Sequence, residues 1–271
     1  MRGTTHSGSS ALSVCDRVML TKEQLAYFDT FGFLFLKQAF SADEMTALIS
    51  AAEEVWKANP PPQQDGEQRL NYFVERHPAL SQLVIDERIY PAVGQLMGRD
   101  FVWAGSEGNI SGLSQIKWHP DRKYYNPDEE RFVDFAQMKV MIYLQTVTRD
   151  SGCLRVIPGS HRMPYHKALG PQELDPDAQP FGLAPEDIPC VYLESEPGDV
   201  ILFNHMMWHS QFGGREQRRY IALKFTACPS SEHHLASLER YSIAVFEQHE
   251  AFVNHDDPRI RAMARPIARP G

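Results

Sequence analysis

Apolar positions along the chain change their period near residue 100. Before it they recur every three or four residues, as on one face of a helix. After it they gather into short runs separated by Gly, Pro, Asp and Asn. The segment Leu20-Thr21-Lys22-Glu23-Gln24-Leu25 reads as a helix start, with Thr21 as N-cap and Gln24 completing a capping box. Leu25, Phe28 and Phe31 form its apolar stripe and Gly32 ends it. Phe33 to Leu36 is a short apolar strand. A second helix begins at Ser41-Ala42-Asp43-Glu44 and buries Met45, Leu48, Ile49, Ala52 and Val55 before Pro60, Pro61 and Pro62 stop it. Residues 61–78 are polar and read as loop. The spacing over Leu80 to Met97 predicts one further helix, ending near Gly98.

From residue 101 the pattern predicts strands over 101–106, 113–119, 136–147, 153–157, 189–193, 199–204, 206–212 and 218–227. Helices first and strands in one later block predict a mainly β fold with flanking helices, built around a double-sheet jelly roll of the cupin-like kind. Residues 161–188 are too long for a tight turn and too polar for core, so they read as an insertion loop with the character of a lid. The Arg/Pro-rich stretch from Arg261 to Gly271 reads as irregular.

Composition narrows the picture. With 271 residues and 42% apolar content, the chain can bury one sizeable core. The expected organisation is a loose tail over 1–19 and one domain over 20–271. That domain divides into a helical part (20–100), a jelly-roll core (about 101–227) and a C-terminal extension (228–271). The 27 basic and 35 acidic residues leave a net charge of −8, which argues against nucleic acid or an anionic membrane surface as partner. Cys15, Cys153, Cys190 and Cys228 are scattered and form no CxxC pair, so they read as reduced thiols in a cytoplasmic protein. No stretch approaches the roughly 20 apolar residues of a membrane span. The N-terminus has no apolar core of a signal peptide.

The candidate chemistry begins at Trp118-His119-Pro120-Asp121. In an extended segment residues i and i+2 point to one side, so His119 and Asp121 can aim an imidazole and a carboxylate at one point. Two imidazoles and one carboxylate in a facial arrangement suit non-haem Fe(II) and leave positions open for other ligands. An HxD alone is weak, and its ordinary reading is a solvated turn after a strand, aided by Pro120. The second histidine comes after Glu196-Pro197-Gly198-Asp199-Val200-Ile201-Leu202-Phe203, a tight turn and a buried strand, where both His205 and His209 stand. On a continuous strand both would share a face, so either could complete the site. His161, His166, His233 and His234 lie in polar segments and read as solvated.

Four ordered segments carry a resemblance to a known family. They are LTKEQLAYFDTFGFLFLKQAFSADEM (20–45), WHPD (118–121), SGCLRVIPGSHR (151–162) and EPGDVILFNHMMWHSQFGGREQRRYIALKFTA (196–227). Together they resemble the phytanoyl-CoA dioxygenase-like family of Fe(II)/2-oxoglutarate oxygenases. The resemblance implies a double-stranded β-helix core. It also implies His119, Asp121 and His209 as the catalytic metal ligands, with His209 preferred to His205, and 2-oxoglutarate and dioxygen as cosubstrates. A guanidinium matches the far carboxylate of 2-oxoglutarate in two-bond geometry. Alignment to the family pattern turns Arg218 inward with Tyr220 and Ala222, whereas hydrophobicity alone favours Arg219 with Ile221, Leu223 and Phe225; Arg218 is the choice carried forward. Asn109 resembles a position that helps hold 2-oxoglutarate. Gln211 stands where the family usually has a small hydroxyl residue.

The implied reaction is oxidative decarboxylation of 2-oxoglutarate to succinate and carbon dioxide, coupled to hydroxylation or another oxidation of a substrate C–H. Asp121 argues against halogenation, because related halogenases lack this carboxylate. For the substrate, Lys117, Arg122 and Lys123 read as a rim for an anionic small molecule. Two other readings use the same barrel: a metal-dependent hydrolase or isomerase without the arginine, and a binding module without turnover. The oligomeric state is not encoded in any recognisable pattern.

Overall fold

The computed structural model describes residues 19–61, 67–112, 115–121, 136–170, 182–213 and 217–269. The tail over 1–18, the rim residues Arg122 and Lys123, and the middle of the 161–188 insertion lie outside the described residues. The first helix, α1 (Lys22–Phe31), has the expected reciprocal cap between Thr21 and Gln24 and ends at Gly32 in the left-handed conformation. Strand β1 (Phe33–Leu36) leads to α2 (Ala42–Ala58), capped by Ser41 and Glu44 in the same way.

The single helix expected over 80–97 is instead three pieces: α3 (Pro78–Ser81), a 3₁₀ turn over Gln82–Ile85 and α4 (Tyr90–Met97). Pro91, with no N–H and a fixed φ, belongs in a first helical turn and starts α4 rather than lying inside a longer helix. Asp86 holds the break by accepting from the Arg88 backbone and guanidinium. The expected loop over 61–78 also contains structure. Strand β2 (Gln68–Asn71) pairs with β3 (Val102–Ser111), which runs five residues past its expected end through Gly108. A Cβ at Gly108 would fall inside the ring of buried Phe73, so only glycine lets that ring lie flat on the strand.

The remaining strands are β4 (Ile116–His119), β5 (Gln137–Tyr143), β6 (Leu154–Val156), β7 (Val191–Leu193), β8 (Val200–Asn204), β9 (His209–Gln211) and β10 (Arg218–Thr226). They form two antiparallel sheets, β1-β8-β5-β10-β3-β2 and β4-β9-β6-β7, which is the expected jelly roll with flanking helices. The outer face of the larger sheet carries Val140, Ile142, Leu202, Ile221, Leu223 and Phe225 against Met45, Leu48 and Val55 of α2 and the helices that follow it. The inner face carries Met141, Tyr143, Ile201 and Phe203 against Leu154, Val156 and Leu193 of the smaller sheet. C-terminal to the barrel, the chain forms helices over Glu232–Tyr241 and Pro258–Met263; Phe252, Ile260 and Met263 join the outer core. The stretch expected to be irregular therefore begins inside a helix.

Candidate active site

His119 closes β4 and His209 opens β9, and the two are cross-strand partners in the smaller sheet. Pairing brings their ring centroids to 4.3 Å. Asp121 follows β4, where its N–H donates to the His205 carbonyl at 3.0 Å and pins the segment to the turn between β8 and β9. Asp121 Oδ1 then lies 3.9 Å from His209 Nε2. One ligand atom from each of His119, Asp121 and His209 falls within 4.8 Å of the others, a group able to hold a metal ion.

Both imidazoles are set for ligation. His119 Nδ1 donates to the Lys117 carbonyl at 2.8 Å, and His209 Nδ1 donates to the Met207 carbonyl at 2.8 Å. A carbonyl only accepts, so each Nδ1 carries a proton and Nε2 is the nitrogen left to face a metal. Burial, together with neighbouring His119, pushes His209 down to about 3, so its ring is neutral around pH 7. Burial opposes ionisation of Asp121, but the Lys139 ammonium, 2.7 Å away, and the histidines outweigh it and hold the carboxyl well below its usual range. A neutral His209 ring and an ionised Asp121 carboxylate are forms a divalent metal requires.

His205 is not in this group. The chain turns after Asn204 instead of continuing as a strand, and His205 Nδ1 meets the Gln137 side chain at 3.2 Å. The alternation expected from a continuous strand therefore does not operate here. His166 and His234, read as solvated, are buried; His166 Nδ1 lies between the Ser160 and Met206 carbonyls.

The Arg218/Arg219 ambiguity resolves in the register of β10. Arg219 turns outward and pairs with Glu53 of α2 at 3.1 Å. Arg218 turns into the barrel and is fully buried. It donates to the Gly152 carbonyl at 3.0 Å and to Gln211 Oε1 at 2.5 Å, and Gln211 in turn donates to the Tyr143 hydroxyl at 3.0 Å. Among the described residues this guanidinium meets no carboxylate, and its Nε has no hydrogen-bond partner. Asn109 is buried opposite Tyr220, with Nδ2 unpartnered among the described residues.

A cavity of about 180 Å³ opens beside the three ligands. Gln211 lines it near the arginine. On another side it is lined by Tyr220, expected inward beside Arg218, and by Lys139, Glu107 and Arg69, which the sequence alone did not single out. The signal was present: Lys139 interrupts the apolar run Met138-Lys139-Val140-Met141-Ile142, and a lone charge in a buried strand faces something polar. Lys117, expected at the substrate rim, is exposed and does not line the cavity. The ladder shifts register between Ile116 and His119, so Ile116 lines the cavity in its place.

The model of the phytanoyl-CoA dioxygenase (PhyH) family matches residues 28–215, more than half of the chain. The chain belongs to the phytanoyl-CoA dioxygenase family. Ectoine dioxygenase of Sphingopyxis alaskensis is 26% identical over 219 residues, covering 72% of this chain and 71% of that protein. The 2-aminoethylphosphonate dioxygenase of an uncultured bacterium is 24% identical over 160 residues, covering 58% and 57%. HygX from Streptomyces hygroscopicus, solved with nickel and 2-oxoglutarate bound, superposes with a TM-score of 0.65 at 19% identity over 77% of this chain and 88% of its own. That likeness confirms the fold. Among the described residues, no helix is long and apolar enough to cross a membrane.

Proposed function

We propose that this family member is an Fe(II)/2-oxoglutarate-dependent dioxygenase that hydroxylates, or otherwise oxidises, an unactivated C–H of a small molecule bearing an anionic group. The observation that carries the reading is the pairing of two features on opposite sheets of one barrel: the His119–Asp121–His209 group and the fully buried Arg218, which meets no carboxylate among the described residues. The first fits a divalent iron. The second fits one end of a dicarboxylate, since a buried guanidinium without a counter-ion is costly unless a ligand supplies one.

The iron and cosubstrate, when bound, supply the oxidising chemistry. This chain's residues bind and orient. His119 and His209 present Nε2 and Asp121 presents one oxygen. Gln211 orients the Arg218 fork and is itself held by Tyr143. Asn109 offers a donor, unpartnered among the described residues, to the cosubstrate. Phe203, whose ring lies 5.1 Å from that of His209, and Leu154 and Met141 keep one wall of the cavity apolar.

The test is spectroscopic. Anaerobic addition of Fe(II) and 2-oxoglutarate should produce a weak visible charge-transfer band. Folded, iron-loaded protein that gives no band would sink the proposal. With the band in hand, succinate release across small carboxylic acids, phosphonates and acyl thioesters identifies the substrate.

A further inference from the structure

The inner face of the larger sheet carries charge at two separated places. One is Arg218 at the start of β10. The other is Lys224 on the same face of that strand, six residues and roughly 20 Å further along. Beside Lys224 in register lies Lys139 of β5. Glu107 of β3 pairs with Lys224 and with Arg69 of the edge strand β2. Lys139 reaches Asp121 at 2.7 Å. Glu107 and Lys139 are buried, and a buried ionic cluster contributes little to stability compared with an apolar core of the same shape. A binding role would account for it.

We infer that Arg69 and Lys139 form the subsite for an acid group of the primary substrate, a carboxylate or phosphonate, with Lys224 neutralising Glu107 behind them. The inference rests on the oxygenase reading above and adds to it the residues that recognise substrate. Charge balance is the argument. A divalent metal, the Asp121 carboxylate, a dicarboxylate cosubstrate and the Arg218 guanidinium balance one another. Glu107 and Lys224 balance each other. Arg69 and Lys139 remain, both lining the cavity next to the metal ligands. Buried Lys139 attracts an anion far more strongly than it would on an open surface, and Arg69 adds a second positive charge at the mouth of the same cavity. Burial and the nearby Lys139 charge also depress Lys224, as expected where cations crowd without an added anion.

The site also constrains where oxidation occurs. Because Lys139 touches the metal ligand Asp121, an acid held there lies close to the metal. The oxidised C–H is then within a few bonds of the acid group. Arg69, with 65% of its side chain exposed, stands at the entrance, where it can meet the acid on arrival.

The experiment uses full-length protein loaded anaerobically with Fe(II) and saturating 2-oxoglutarate, with methylphosphonate and propionate as probes and propylamine as the cationic control. Each is titrated against the charge-transfer band. Both anions should perturb the band saturably and propylamine should not. Arg69→Gln should weaken anion binding about tenfold, the loss of one charge-assisted contact, and Arg69→Glu should weaken it further. Glu107→Gln, which removes the competing carboxylate, should tighten it. Opposite signs from two neutralising substitutions cannot arise from unfolding, and the Arg69 pair lies on an exposed side chain should Glu107→Gln not fold. Wild-type protein whose band ignores both anions, or Arg69 variants that bind them as well as wild type, would overturn the inference while leaving the oxygenase reading intact. Absence of the band itself overturns both.

Discussion

Arg218 and Arg219 are adjacent and chemically identical, yet their environments differ completely. One is sealed in the barrel against Gly152 and Gln211; the other meets Glu53 at the surface of α2. Arg218→Met should therefore raise the 2-oxoglutarate KM by about thirtyfold or more, as expected for losing a buried charged contact. Arg219→Met should leave that KM unchanged and cost less than about 1 kcal/mol in a denaturant titration, because its ion pair is partly exposed. Glu107 gives a prediction in pH. Burial opposes its ionisation, but Lys139, Lys224 and Arg69 outweigh burial and bring it from 4.5 down to about 2. A depressed carboxylate contributes stability above its unfolded pKa and loses it as pH falls through the folded one. Wild-type stability should thus fall between about pH 5 and pH 2, by on the order of 3 kcal/mol from this group alone. In Glu107→Gln the acid slope should flatten in an equilibrium denaturation series, while stability at pH 7 drops because three cations lose their shared partner.

Elements formed where local signals agreed with the tertiary context. The capping boxes at Thr21 and Ser41, and Gly32 after α1, were legible because capping is settled within four residues. Strand β2 was not legible: Gln68-Arg69-Leu70-Asn71 has little β propensity and exists because β3 offers it a ladder. The close approach of Phe73 to Gly108 beside that ladder predicts that Gly108→Ala will destabilise the protein by about 1–3 kcal/mol, the usual cost of overpacking. Urea unfolding monitored by tryptophan fluorescence reads it directly. The segment 80–97 had a helical apolar period throughout, but period alone did not register that Pro91 must start a helix.

At the scale of the molecule, the main apolar core lies between the larger sheet and the helices, whereas the candidate metal ligands His119 and His209 lie on the smaller sheet. Folding and ligand loading should therefore be separable. Metal-free protein should unfold cooperatively. Fe(II) at about 100 times its Kd, under anaerobic conditions, should add about 2.7 kcal/mol by mass action. A thermal-shift series should show that gain in wild type and lose it in Asp121→Ala, with the variant's metal-free transition retained.

The sequence by itself determined the class of fold, the two capped helices, the block of short strands and the HxD pair, because each depends on a period or on contacts within a few residues. It offered both His205 and His209 as the second histidine without separating them by spacing alone. Tertiary structure decided the rest. The turn after Asn204 sends His205 to Gln137 and leaves His209 opposite His119. The register of β10 against β3 and β5 buries Arg218 and lines up Lys224, Lys139 and Glu107 on one face. Such alignments join residues up to 117 positions apart, and a one-residue slip in any ladder would reverse which side chains face the cavity.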